Sequence, residues 1–353
     1  MNLNRKIIIV IVTHNGRHYL SDCLSSVFRS NYNKNLFEVI VIDNNSTDST
    51  VGYIRETYPQ VKIIENLDNK GFAAANNQGY FLAQKKQANY LVLLNQDTIV
   101  ESEWLSRLVK TAEKNHWVAA VGPKLLLHPQ RDLINSYGNS IHYLGFAFCN
   151  KYKEKDSQGN TDSFAVPYPS GAAVLLKMSA LEKIDGLFDD RLFMYHEDVN
   201  LGWRLRLAGY QVLVDPLAVV YHKYNFSKAK YKFYYMERNR WILLFQNYRV
   251  LTLLLLAPML IVMEAGQLLY SLKNGWFKEK IKGYGWLLSH LPSIISERVS
   301  VQFKIRKKVG DREILRLFVG AIKFQEVKYP LLTYVVNPLM EAYFWIVKKI
   351  VFW

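Results

Sequence analysis

Three apolar runs in this chain each end at a carboxylate. Acids so placed can ligate a hard cation, take up a proton or accept from a polar ring. Residues 37–42 stop at Asp43 and open into Asn44, Asn45, Ser46, Thr47 and Asp48. Residues 90–94 stop at Asn95, Gln96 and Asp97. Residues 193–196 lead into Glu197 and Asp198, followed by a helical pattern with Trp203 and Arg204. A lone acid after a strand is most often a helix N-cap. Three of them, behind short runs bounded by turn residues, point to one edge of one sheet, because open α/β sheets bind ligands outside the carboxyl ends of their strands.

The surrounding pattern supplies such a sheet. Apolar runs predict strands over 7–12, 38–42, 61–64 and 91–94. Helical patterns follow over 17–29, from a cap near 46–48, over 71–84 and over 101–115. The last of these sets Trp104, Leu105, Leu108, Val109 and Ala112 on one side. This alternation predicts an α/β fold, a mostly parallel sheet with flanking helices. From 124 to 169 the pattern breaks into polar and aromatic stretches, read as loops and hairpins that shape a substrate pocket. Strands return over 171–177, over 211–214 and, just before His222, over 217–221.

The first strand runs into Thr13, His14, Asn15 and Gly16, which lacks the G-x-G-x-x-G fingerprint of dinucleotide sites, and no G-x-x-x-x-G-K-[ST] loop occurs. NAD and P-loop chemistry are therefore not expected. What stands in order is IVIVTHN at 9–15, VIDNNSTD at 41–48, NKGFAAANNQG at 69–79, LLNQD at 93–97, SGAA at 170–173 and HED at 196–198, then Trp203 and Arg204. This ordered set resembles the family 2 glycosyltransferases of GT-A fold, nearest to their bacterial rhamnosyltransferase-like branch, over about residues 5–245.

The resemblance implies an inverting, metal-dependent transfer from a dTDP- or UDP-sugar. It gives Thr13, Asn15, Asp43 and Asn45 to the nucleoside, and Asp43 suits the N3–H of uracil or thymine. Gly71, with alanines behind it, lets backbone approach a ligand, and Asn76 and Asn77 offer amide donors; tight helix–sheet packing explains the alanines equally well. Asn95 replaces the first acid of the family's D-x-D-like element and Asp97 is its last, so metal affinity is expected to be weakened by one carboxylate. Mg²⁺ or Mn²⁺ would be held by Asp97 and His222, hard cations of this kind sharing their shell with substrate phosphates; a single histidine is also commonly structural. Asp198 takes the role of the base, with Glu197 beside it as a supporting carboxylate or acceptor contact. Trp203 and Arg204 either orient the acid or meet the diphosphate, or are a core tryptophan and a surface arginine. The implied acceptor is polyprenyl-diphosphate-linked or a polysaccharide of the cell surface. A sugar nucleotidyltransferase and a non-catalytic sugar-binding scaffold are the alternatives. The first normally carries a Gly-rich, basic loop after the first strand, absent here.

Charge divides the chain. Of its net +15, residues 1–220 hold 23 Lys and Arg against 22 Asp and Glu, whereas residues 221–353 hold 22 against 8. Basic and aromatic together suit an anionic membrane surface. Nucleic acid is not expected, because no helix-turn-helix, RRM or zinc-ligand pattern accompanies the charge. Residues 250–263 are apolar but for Thr252 and Pro258. They then meet Glu264, short of the roughly 20 residues that cross a bilayer. The sequence thus predicts a catalytic region over 1–245, with a nucleotide-sugar half to about 123 and an acceptor half beyond. A helical, membrane-associating tail is predicted over 246–353. The enzyme is expected at the cytoplasmic face of the cell membrane, anchored interfacially, with a single span over 250–272 as the other option. Two cysteines, Cys23 and Cys149, fit a reducing compartment, and the short apolar stretch at 7–12 reads as a strand, not a signal peptide.

Overall fold

The computed structural model describes residues 4–353 apart from 158, 160, 225–228, 307–308 and 324–329. The elements are β1 (Ile7–Thr13), α1 (Arg17–Phe28), β2 (Phe37–Asp43), α2 (Thr50–Thr57), β3 (Lys62–Glu65), α3 (Gly71–Lys85), β4 (Tyr90–Asn95), β5 (Thr98–Val100), α4 (Trp104–Ala112) and β6 (Val118–Leu127). There follow β7 (Ile134–Ser136), β8 (Asn139–Ile141), β9 (Ala147–Cys149), β10 (Phe164–Ala165), β11 (Ala173–Lys177), α5 (Met178–Lys183), α6 (Glu197–Leu207) and β12 (Gln211–His222). The remainder is helical: α7 (Lys230–Asn247), α8 (Val250–Lys273), α9 (Phe277–Ser289), α10 (Leu291–Val299), α11 (Asp311–Leu315) and α12 (Asn337–Ile350).

Strands β3, β2, β1 and β4 pair in parallel, as the βα alternation demands. Beyond β4 the sheet is mixed: β11 runs antiparallel to both β4 and β6, while β6 and β12 are parallel. Alternate residues of each strand feed opposite cores. Ile8, Val10, Ile40, Ile42, Leu91 and Leu93 lie on one side, and Ile7, Ile9, Ile11, Val39, Val41 and Val92 on the other. Both sides are helix-covered, which is why the strands read as continuous apolar runs.

Two expected strands merge. Residues 211–214 and 217–221 are one strand, β12, in spite of Pro216. A register shift between Asp215 and Val219 absorbs the proline, which cannot donate to a ladder. Asp215 closes the bulge by accepting from Leu217 N (2.9 Å) and from Thr111 Oγ1 (2.7 Å). Residues 118–127 likewise form one ten-residue strand, so regular structure continues past 124.

The tail is built into the fold. Trp203 of α6 makes edge contacts with Tyr248 (4.7 Å between ring centroids) and Phe318 (4.8 Å). Leu256, Leu260, Met340, Phe344 and Val347 share a core with Val10 and Leu93, so the boundary drawn at 245/246 lies within one continuous core. Four buried or half-buried charges join α7, α8 and α9. Arg240 pairs with Glu237 (3.2 Å) and Glu264 (2.7 Å), and Lys280 with Glu237 (2.7 Å) and Glu264 (2.5 Å). Burial alone would raise the Glu237 carboxyl. The two cations more than offset that, pulling it down to about 2.

Candidate active site

The carboxyl ends of β1, β2 and β4 lie in register, Thr13 opposite Asp43 and Val12 opposite Asn95. The chain turns at Asn95–Asp97 into β5, which pairs with β12 so that Thr98 faces His222. Asp43, Asp97 and His222, from distant parts of the sequence, therefore reach one sheet edge.

Asp43 is buried and holds its own loop. Its carboxylate accepts from Ser46 N (3.0 Å) and Ser46 Oγ (2.5 Å). Asn15 and Asn45 both have positive φ (51° and 63°), a conformation that asparagine tolerates better than most residues. Asn15 N donates to Ser46 Oγ (2.8 Å) and Asn15 Oδ1 accepts from Thr47 N (2.8 Å), stitching the first loop to the second. Thr13 Oγ1 donates to Gln96 Oε1 (2.5 Å).

His222 is a histidine with one nitrogen engaged and one aimed at an acid. Nδ1–H donates to Asn135 Oδ1 (2.9 Å), and Nε2 lies 3.3 Å from Asp97 Oδ1. Asp97 is about a quarter exposed and His222 nearly buried. One hard oxygen and one imidazole nitrogen with its far side hydrogen-bonded is a donor set that fits Mg²⁺ or Mn²⁺ completed by phosphate and water. Among the described residues no third histidine, cysteine or carboxylate joins them.

Glu197 and Asp198 open α6, whose N-terminal dipole favours a negative charge there. Asp198 Oδ2 accepts from Gly171 N (3.0 Å) and Oδ1 from Val199 N (2.8 Å). The next residue of that strand entry, Ala172, accepts through its carbonyl from Asn95 N (2.8 Å). The Gly171–Ala172 step thus bonds both the acid and the turn that carries Asp97. Burial pushes the Asp198 carboxyl up to about 6 against its two N–H donors. Burial and then the neighbouring Asp198 charge raise Glu197 further. One oxygen of Glu197, Oε2, is buried without a partner.

The loop before these acids is strained. Phe193, Tyr195 and His196 have φ of 59°, 67° and 67°, a region costly for non-glycine residues. Burial lowers His196 to about 4, leaving its ring neutral. Gly71 supports this loop. At φ +80° it lets Phe193 so close that a Cβ would meet the Phe193 ring at 2.5 Å and its carbonyl at 2.7 Å.

Asn76 and Asn77, expected to offer amide donors to a ligand, are turned inward, and so are Trp203, for which a core position is one of the alternatives, and Arg204, for which the surface is one. Asn76 Nδ2 donates to the Phe72 carbonyl (2.8 Å), one turn back in α3. Asn77 Nδ2 donates to Phe188 O (2.8 Å) and Asp190 Oδ1 (2.6 Å), and its Oδ1 accepts from Phe188 N (3.0 Å). Arg204 is buried and donates to Asn200 Oδ1 (2.9 Å) and the carbonyls of Ile184 (2.9 Å) and Leu187, bracing the segment before the loop. Trp203 is core. α6 is packed on several sides, which the sequence alone does not reveal. The alanines of α3 are likewise packing residues, and Gly79 lets Val10 approach.

Sequence reasoning missed Asn239. Its buried amide donates to the carbonyls of Leu192 (2.8 Å), Met194 (2.9 Å) and Tyr195 (2.7 Å), while its Oδ1 accepts from Arg238 Nε (2.9 Å). The available signal was the run Glu237, Arg238, Asn239, Arg240 inside an otherwise aromatic and apolar helix, where such residues persist only with buried partners.

A family model described as "Glycosyl transferase family 2" matches residues 8–185. The chain belongs to that family. Among curated relatives, the poly-beta-1,6-N-acetyl-D-glucosamine synthase of Staphylococcus aureus (strain COL) is 29% identical over 223 residues, 60% of this chain and 48% of the relative. Its Staphylococcus epidermidis counterpart is 26% identical over 214 residues. The chain spans about half the length of these relatives. Residues 1–349 of S. aureus TarS superpose with a TM-score of 0.51 at 15% identity, covering 98% of this chain and 90% of that fragment. GalNAc-T7 with UDP, GalNAc and Mn²⁺ gives 0.57 at 18% identity, covering 69% of this chain and 48% of that protein. The mannosyltransferase PcManGT of Pyrobaculum calidifontis, with GDP-Man and Mn²⁺, gives 0.51 at 14%, covering 98% and 86%. At such identities these neighbours establish the GT-A fold of this family 2 member.

Proposed function

We propose that this family 2 protein is an inverting glycosyltransferase that moves a hexose or deoxyhexose from a dTDP- or UDP-sugar to an acceptor hydroxyl. The observation that carries the reading is the shared Gly171–Ala172 step, which bonds Asp198 on one side and the turn bearing Asp97 on the other. A donor diphosphate at Asp97 and His222 is thereby held beside a carboxylate able to take a proton.

Asp97 and His222 would hold Mg²⁺ or Mn²⁺, which supplies positive charge to the departing diphosphate. Asp43 and the 13–15 and 44–48 loops form the nucleoside end. Asp198, with its pKa raised toward neutrality, takes the proton as the acceptor oxygen bonds to the anomeric carbon. The bond from that carbon to the phosphate oxygen breaks, and its electron pair leaves with the nucleoside diphosphate. A single displacement from the far side inverts the anomeric centre. The Mn²⁺ present in the GalNAc-T7 and PcManGT structures and the name of the S. aureus relative support a metal-assisted role in cell-surface polysaccharide synthesis.

The acceptor, in this reading, is a lipid-linked or nascent polysaccharide at the cytoplasmic face of the membrane. Helix α8 is long and apolar enough to cross a bilayer by length and composition, and the basic tail complements anionic lipid. Purified full chain incubated with dTDP- and UDP-sugars and Mn²⁺ is expected to hydrolyse or transfer one donor, and Asp198→Asn to abolish this. Cleavage of a nucleoside triphosphate by sugar phosphate instead, releasing diphosphate, would mark a nucleotidyltransferase. Sugar binding without turnover would mark a scaffold.

A further inference from the structure

Helix α8 is fastened to the protein along one side. Thr252 Oγ1 donates to Asp311 Oδ2 (2.5 Å), Tyr343 Oη donates to the Leu255 carbonyl (2.5 Å), and Leu256 and Leu260 are buried. Glu264 takes Arg240 and Lys280, Gln267 Nε2 donates to Glu237 Oε1 (2.9 Å), and Ser271 is buried. These attachments recur every three or four residues from Thr252 to Ser271, roughly 30 Å of axis at about 1.5 Å per residue. A helix held this way cannot leave its domain to span a bilayer without stripping Glu264 from both buried cations.

Its other side is bare. Leu254, Ile261, Val262 and Leu269 are 65–70% exposed. Helix α12 packs beside α8 and exposes Trp345 and Ile346, and Phe352, two residues beyond its end, is exposed too. Next to this apolar surface, α11 and α12 enclose a cleft of about 430 Å³ lined by Arg312, Arg316, Lys348 and Lys349 together with Trp345 and Phe352. Among the described residues no carboxylate side chain pairs with any of the four cations; Lys348 and Lys349 instead sit over the rings of Phe344 and Trp345. Exposed apolar surface beside four unpaired cations and two exposed aromatic rings matches the interface of a bilayer, where acyl chains and phosphates adjoin.

We propose that α8 and α12 dock flat on an anionic lipid leaflet, with the bare flank of α8 among the acyl chains and the Arg312/Arg316/Lys348/Lys349 cleft on a headgroup phosphate. This rests on the membrane reading above and specifies its geometry: one leaflet is entered and none is crossed.

Two measurements on the full chain test it. In flotation assays the protein is expected to bind phosphatidylglycerol-containing vesicles well and pure phosphatidylcholine vesicles weakly. Lys348→Ala with Lys349→Ala should lower affinity for the anionic vesicles about tenfold or more. Ile261→Glu with Leu269→Glu should lower binding to both kinds. All four positions are exposed, so melting temperature should be unchanged and serves as the check on folding. Inorganic phosphate at millimolar concentration should not displace the vesicles; displacement would make the cleft a site for free phosphate and overturn the headgroup assignment. For topology, Val250→Cys and Lys273→Cys flank α8. With Cys149→Ser as background, an impermeant maleimide applied to intact cells should treat both positions alike. Labelling of one end alone means a span and overturns flat docking while leaving membrane association intact. Binding that ignores both variant pairs also overturns it. Wild-type protein that ignores every vesicle overturns the membrane reading itself.

Discussion

Nε2 of His222 lies 3.3 Å from Oδ1 of Asp97, across the junction where β12 pairs with β5. The opposite ring nitrogen gives its proton to Asn135, and that bond fixes both tautomer and ring plane. Asn135 therefore matters without touching a donor. Asn135→Ala is expected to weaken Mn²⁺-dependent nucleotide binding about 10–100-fold, the usual effect of losing a partner behind a metal-ligating histidine. Asp97→Asn should weaken it at least as much. Calorimetric titration of UDP and dTDP with and without Mn²⁺ checks both. Equal nucleotide affinity in all proteins, with or without EDTA, would remove the metal from this site.

The acids should separate by pH. Asp198 works as a base only when ionised, so turnover should rise as pH climbs through its elevated value near 6 and then level. Asp198→Asn should keep nucleotide affinity and lower transfer by about 10²–10⁴-fold. Glu197→Gln should retain most transfer. It should also melt higher than the wild type at alkaline pH, because a carboxyl raised on folding stabilises below its unfolded pKa and loses that contribution as pH rises through the folded one. Loss of turnover in Glu197→Gln alone would exchange the two roles.

Asn239 holds the strained loop through three carbonyls, and its α7 neighbour Arg238 shares only the first of them, that of Leu192. Asn239→Ala takes the amide donor from the Met194 and Tyr195 carbonyls, at a cost of about 1–3 kcal/mol. It is expected to lower kcat more than nucleotide affinity, because the loop leads directly into Glu197 and Asp198. Comparison of kcat with the nucleotide dissociation constant tests this; parallel losses would mean general unfolding.

Glu237 balances Arg240 and Lys280 where little water reaches. Glu237→Gln leaves Glu264 alone against two buried cations and should destabilise by about 3–5 kcal/mol in urea unfolding near neutral pH. The Glu237 contribution is present above its ordinary value of 4.5 and disappears as pH falls toward 2, so the gap between variant and wild type should close in acid.

Much of the site could be read from the sequence because it depends on where strands end. Asp43 and Asp97 follow apolar runs, and strand runs survive in a single sequence as unbroken stretches of Ile, Val and Leu. What could not be read is direction. Asn76, Asn77 and Arg204 lie on helices with more than one covered face, so their residue type suggested a ligand while Asn76 bonds within its own helix and the other two brace neighbouring loops. Asn239 lies 44 residues beyond the carbonyl of Tyr195 that it binds, and no local spacing encodes such a contact. Pro216 misled in the other direction. It divided a strand on paper that a bulge keeps whole. The tail's charge and aromatic content were plain, yet its shared core with β1 and β4 appears only once Trp203 is seen against Tyr248 and Phe318.

Tyr143 stacks on Phe344 with ring centroids 4.6 Å apart, and its hydroxyl donates to the carbonyl of Met340, 197 residues further along. His142, the residue that follows β8, likewise reaches the carbonyl of Gly320. Translation adds about 5–20 residues per second, so a nascent chain waits on the order of 10–40 s between making Tyr143 and making the ring that covers it. During that interval the β8–β9 hairpin lacks its cover. A chain stopped before Met340 would therefore keep Tyr143 uncovered and offer the cell's proteases an unfinished intermediate.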